Sequence, residues 1–200
     1  MSSVVFVAPF FLDTTLRFVE AVADLPGVAT GLVSQDPAER LPAGLKAKLA
    51  AHYRIADGLD PQQIADAVRG LARQIGPPQR LIGALEQLQV PLGEVRDALG
   101  IEGMGAEVAK NFRDKARMKT VLQRAGVPCA RHSRVTSDAE AWSFVDSVGY
   151  PVVLKPTAGA GAKSTTVGLR YVPATAQPCT GRAPMAAPGH PMASATRRRP

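Results

Sequence analysis

Gly149-Tyr150-Pro151-Val152-Val153-Leu154-Lys155-Pro156, running into Thr157-Ala158-Gly159-Ala160-Gly161-Ala162-Lys163-Ser164, is the stretch on which the reading of this chain turns. A Gly-Tyr-Pro turn leads into a short apolar run, as a buried strand would have it. Lys155 closes that run, so its backbone is fixed while its long side chain reaches out. The Gly/Ala loop that follows, Ala158 to Ala162, carries no bulky side chain, and a backbone so bare can lie over a phosphate. Upstream, Asp114-Lys115 opens a helix that continues through Met118, Val121 and Leu122 and closes at Ala125-Gly126-Val127-Pro128. Lys115 can bring a second ammonium toward the same charge. Two fixed cations and a cover of unobstructed N–H donors are what a polyphosphate requires. Taken singly, each piece has a plain structural reading: a solvated helix lysine, a strand-end lysine, a hairpin. Lys163 is open between phosphate contact and exposed loop lysine. Glu86 is open between substrate-side carboxylate and helix-start glutamate. Lys110 and Lys119 read as surface residues.

In order and spacing, the set DK, AGVP, GYPVVLKP and Gly-rich loop resembles the ATP-grasp superfamily, in the branch that holds biotin carboxylase, carbamoyl-phosphate synthase and amino-acid ligases. The resemblance is strong over about fifty residues and looser before them. It implies that Lys115 and Lys155 contact the α- and β-phosphates of ATP. It also implies that Gly159, Ala160, Gly161, Ala162, Lys163 and Ser164 close over the nucleotide as a lid. By the same resemblance, full-length relatives activate a small carboxylate as an acylphosphate, which an amine then attacks. Their magnesium is held further along by acidic residues and an asparagine, and phosphoryl transfer depends on such ions. Here no Asp or Glu follows Asp146. Hard-cation oxygen ligands are therefore missing from the expected place, and no metal site is assigned. No residue stands out as a general base, so none is assigned as catalytic. The expectation is a chain that stops short of the magnesium region, with weak or no ATP binding and no turnover. A non-catalytic α/β module, using its first hundred residues to bind a small molecule or a protein, is the alternative.

Working outward to the amino terminus, strands and helices alternate. Residues 4–8 read as a strand and Asp13-Thr14-Thr15 as a helix start, with Pro26-Gly27 ending that helix. Val28–Val33 reads as a second strand, and a helix near 37–51 opens at Asp36-Pro37. Tyr53–Ala56 is a weak third strand. Asp60-Pro61 caps a helix to Ile75, with Ile64, Ala67, Val68, Leu71 and Ile75 on one face, and Arg80–Leu85 is a fourth strand. The alternation predicts an α/β fold with a parallel sheet. Residues 1–103 would form a pre-ATP-grasp-like domain and 104–172 the start of an ATP-grasp small subdomain. Within the latter, helices fill 91–125 with a break at Gly100–Gly105. A strand follows at 131–135, a helix from Ser137 or Asp138 to Val148, and a return strand around Thr165–Val172.

From Pro173 to Pro200 there are six prolines and seven alanines, but no acidic, aromatic, Leu, Ile or Val residue. Such a segment cannot bury enough apolar area to offset its ordering entropy, so 173–200 is expected to be a disordered tail. Its composition is that of out-of-frame translation of a GC-rich gene. The tail also explains the basic balance, because the first 166 residues hold 19 basic against 17 acidic residues. No nucleic-acid face is indicated. No run of 18 apolar residues and no signal peptide is evident, which points away from the membrane and to the cytoplasm. Cys129 and Cys179 form no framework, and His52, His132 and His190 suggest no ligand cluster. Lys163-Ser164 imitates a Walker ending, but Ala162 and Thr157 stand where that motif needs glycine. The first strand–helix turn, Ala8 to Asp13, lacks G-x-G-x-x-G.

Overall fold

Ser2–Val7 forms strand β1, and its period-two alternation sends successive side chains to opposite faces of a sheet. Val5 and Val7 enter one apolar cluster, and Phe6 and the following Ala8 enter another. β1 is thus covered on both sides, and from Val4 to Val7 its sequence is accordingly apolar rather than alternating with charge. In this computed structural model, residues 2–156, 166–168 and 193–197 are described. They divide into two units, 1–110 and 111–200.

The first unit contains β1, α1 (Asp13–Ala23), β2 (Val28–Ser34), α2 (Ala43–Lys48), β3 (Ala51–Arg54), α3 (Pro61–Ile75), β4 (Arg80–Ile82) and α4 (Gln89–Leu99). The strands lie in the order β3-β2-β1-β4, all parallel. Ile64, Val68 and Leu71 of α3, with Leu92 and Val95 of α4, bury one face together with Leu81 of β4. Val19 of α1 and Leu45 of α2 bury the other with Leu32. The parallel α/β fold read from the sequence is present. The helix expected near 37–51 is shorter than that reading. Ala38–Arg40 is a single 3₁₀ turn, and Pro42 restarts the chain as the N-cap of α2. Asp36 does not cap it; its carboxylate accepts from the Phe11 amide at 2.7 Å and from Arg40 at 2.6 Å. β3 begins two residues before the expected position, because its register pairs Gly31 with Ala51. α3 is as expected: Asp60 accepts from the amides of Gln62 and Gln63 with Pro61 in the first turn.

The break at 100–105 is a built turn. Gly100 sits in the left-handed region at φ 65° and ends α4. Arg96 donates to the carbonyls of Leu81 and Met104. Asp97 accepts from the Ala106 amide at 2.8 Å, which starts α5 (Ala106–Arg113).

The second unit holds α6 (Lys115–Arg124), β5 (His132–Val135), α7 (Asp138–Val148), β6 (Val152–Pro156), β7 (Thr166–Gly168) and β8 (Ala193–Arg197). Ser137 caps α7 through the Glu140 amide. Gly149, at φ 71°, ends the helix before a cis Tyr150–Pro151 bond leads into β6. β7 pairs antiparallel with β6, where the sequence places a return strand. The sheet order is β5-β8-β6-β7. β8 lies inside the segment expected to have no regular structure, and it pairs antiparallel with both β5 and β6. Among the described residues no helix is long and apolar enough to cross a membrane.

Candidate functional site

Asp114 sets the start of α6. Its Oδ1 accepts from the amides of Ala116 at 2.8 Å and Arg117 at 3.0 Å, two donors that would otherwise lack partners at a helix start. Lys115 is therefore the first helical residue, and it is half-buried. One turn on, Lys119 lies on the same side of the helix and is only 8% exposed. This overturns its reading as a surface residue. The error has a physical source, since a lysine in a polar helix is normally solvated. The available signal was spacing, because Lys119 stands four residues after Lys115.

Lys155 lies near the end of β6, half-buried, after the buried pair Val152 and Val153. Burial holds the Lys119 pKa below its ordinary value, and the Lys155 ammonium beside it lowers it further. Near this pair, Cys129 Sγ lies 3.8 Å from the Lys119 carbonyl oxygen. Burial, and then Lys119, likewise lower the pKa of His132, while a hydrogen bond to the Ala116 backbone opposes the shift. The charge of Lys155 thus acts on Lys119, one turn beyond Lys115. Lys110 pairs with Glu107 at 2.8 Å on α5. Gly159, Ala160, Gly161, Ala162, Lys163 and Ser164 lie outside the described residues, as do Cys179 and His190.

Two ammonium groups whose charges act on one another, one of them desolvated, are suited to a ligand with several negative oxygens. The donor chemistry fits the phosphates of a nucleotide. It does not fit a divalent cation: among the described residues no three His, Cys, Asp or Glu side chains gather to hold one.

Residues 114–176 match the ATP-binding domain of the carbamoyl-phosphate synthase L chain. Alanine–anticapsin ligase of Bacillus subtilis is 36% identical over 67 residues, which are 34% of this chain and 14% of that protein. The L-amino acid ligase of Bacillus licheniformis shares the fold with a TM-score of 0.62 at 18% identity, over 80% of this chain and 38% of its own. So does the biotin carboxylase domain of 2-oxoglutarate carboxylase from Hydrogenobacter thermophilus, solved with MgADP and bicarbonate. Its TM-score is 0.64 at 24% identity, covering 83% of this chain and 37% of that one. The chain thus spans well under half the length of these relatives. The DK, AGVP and GYPVVLKP segments fall inside the matched residues, so over 114–176 the chain is similar to that ATP-binding domain, and it shares its fold with the ligase and carboxylase structures.

Proposed function

We propose that the second unit grips the phosphates of ATP for a ligase that activates a carboxylate as an acylphosphate, which an amine then attacks. What supports this reading is the burial of Lys119 on α6, only 8% exposed, together with the half-buried Lys155 near the end of β6, whose charge acts on it. Lys155 is placed by a buried strand and Lys119 by burial on the helix, so both cations are set before the ligand arrives. Preorganised charge of this kind stabilises a developing anion more than mobile surface lysines do. Lys115 adds a third ammonium at the start of the same helix. The loop Gly159–Ser164 would close over the phosphates and exclude water. Residues 1–103 serve as the pre-ATP-grasp domain and 104–172 as the start of the small subdomain. In the relative solved with MgADP, magnesium accompanies the nucleotide. The described residues here supply no carboxylate set for it, so their part is restricted to binding and orienting phosphates.

The test is ATP binding measured by calorimetry on the chain and on Lys155→Met. The substitution removes one charge-assisted contact, worth about 1.5–3 kcal/mol, which corresponds to roughly tenfold or more in affinity. Equal affinity in both proteins would remove the reading. Hydroxylamine trapping of an acylphosphate, with candidate amino acids as carboxylate donors, then examines the chemical step in the same chain.

A further inference from the structure

Beyond the ammonium pair, the second unit has an open cleft of about 660 Å³ between α6 and β5. Neither Lys115, Lys119 nor Lys155 lines it. Its charged lining is three guanidinium groups, Arg117 and Arg124 on the helix and Arg134 on the strand, against the single carboxylate of Asp114. That carboxylate is already engaged by the two amides it caps. Among the described residues, neither Arg124 nor Arg134 pairs with an acidic side chain. Asn111 Oδ1 accepts from Arg117 Nε at 2.6 Å and so orients that guanidinium. Thr120 and Ser133 add hydroxyls to the wall, and Ala116 and Val121 add an apolar patch. His132 also lines the cleft, and its Nδ1 is buried without a hydrogen-bond partner among the described residues.

We propose that this cleft is a second anion site that takes a phosphorylated small molecule, separate from the Lys119–Lys155 pair. Arg124 and Arg134 line one cleft from two different elements, and a multivalent anion between them would attract both. Planar forked donors match phosphate oxygens bidentately, and the hydroxyls supply further donors. The volume lies within the range of small-molecule sites, about 300–1,000 Å³. The apolar patch of Ala116 and Val121 accommodates the part of the ligand that carries no charge.

Inorganic pyrophosphate is the probe, titrated calorimetrically into the whole chain, into Lys155→Met and into Arg124→Gln/Arg134→Gln. Both arginines are exposed, so the double variant should fold, and a thermal melt checks that it does. The expected result is that pyrophosphate still binds Lys155→Met within about threefold of the parent, while the double variant loses about tenfold or more, the weight of one or two charged contacts. Backbone amide resonances of Thr120 and Ser133 should shift on titration of the unmodified protein. Unchanged binding in Arg124→Gln/Arg134→Gln overturns the proposal. So does loss of all binding in Lys155→Met, or a titration that leaves the Thr120 and Ser133 amides unmoved.

Discussion

A single buried lysine carries much of the reading of the second unit. Lys119 is desolvated and stands beside Lys155, and both effects disfavour its charged form. Its folded pKa lies below the ordinary 10.5, so the unfolded chain holds this proton to higher pH than the fold does. The group's contribution to stability is therefore complete above pH 10.5 and is lost as pH falls through the folded pKa. The stability of the ligand-free chain should therefore rise as pH is raised toward 10.5. Lys119→Met should flatten that rise while lowering ATP affinity about tenfold, the equivalent of roughly 1.4 kcal/mol. A melt and a calorimetric titration on the same sample check both signs. A variant that loses stability and keeps its affinity would mark Lys119 as a structural residue. The strand position of Lys155 was legible in the sequence because a short apolar run leads into it. Lys119 was not, because burial depends on which face of α6 meets β5, and a polar helix does not announce its inner face.

Among the elements, the contact of α4 with the start of α5 is the tightest test of how this sequence packs. Gly93 lies in the middle of α4, where alanine would ordinarily gain about 0.8–1 kcal/mol in helix propensity. A Cβ there would meet the Ala106 amide nitrogen at 2.7 Å and the Ala106 Cα at 2.8 Å. Those atoms are backbone, anchored by the Ala106–Asp97 hydrogen bond, and do not move aside cheaply. Overpacking of this kind costs about 1–3 kcal/mol. Gly93→Ala should therefore destabilise the first unit despite the propensity gain, read as a lower urea midpoint at unchanged slope. A midpoint that rises would show that α4 and α5 separate freely. The elements of this unit were readable where pattern and cap agreed, as at Asp60-Pro61 and along Ile64–Leu71. They were misread at 37–51, where Pro42 splits what the spacing joins. β8 was unreadable, since a strand of small residues is held by a register with β5 and β6 that local sequence does not encode.

At the scale of the whole molecule, the two units differ in what holds them. The first has two apolar clusters, with Ile64, Leu71, Leu81 and Leu88 buried in one and Leu32 and Val19 in the other. In the second, the buried hydrophobic residues among those described are Ala116, Val135, Val148, Val152 and Val153, all small. Each fully buried large aliphatic contributes about 1.5–3 kcal/mol, so the described residues of the second unit hold the smaller reserve. The only tryptophan of the chain, Trp142, lies on α7 in that unit. Its fluorescence therefore follows the second unit alone, while far-ultraviolet circular dichroism follows both. In urea, the fluorescence transition should come at lower denaturant than the main dichroism transition. ATP at about one hundred times its dissociation constant should stabilise the second unit by about 2.7 kcal/mol and move the fluorescence midpoint upward. The later dichroism transition should stay where it was, because the lysines proposed to bind phosphate belong to α6 and β6. Coincident transitions that shift together with ATP would mean that the units unfold as one cooperative body. The stability of the α6–β6 cation pair would then be set by the first unit's core rather than by its own.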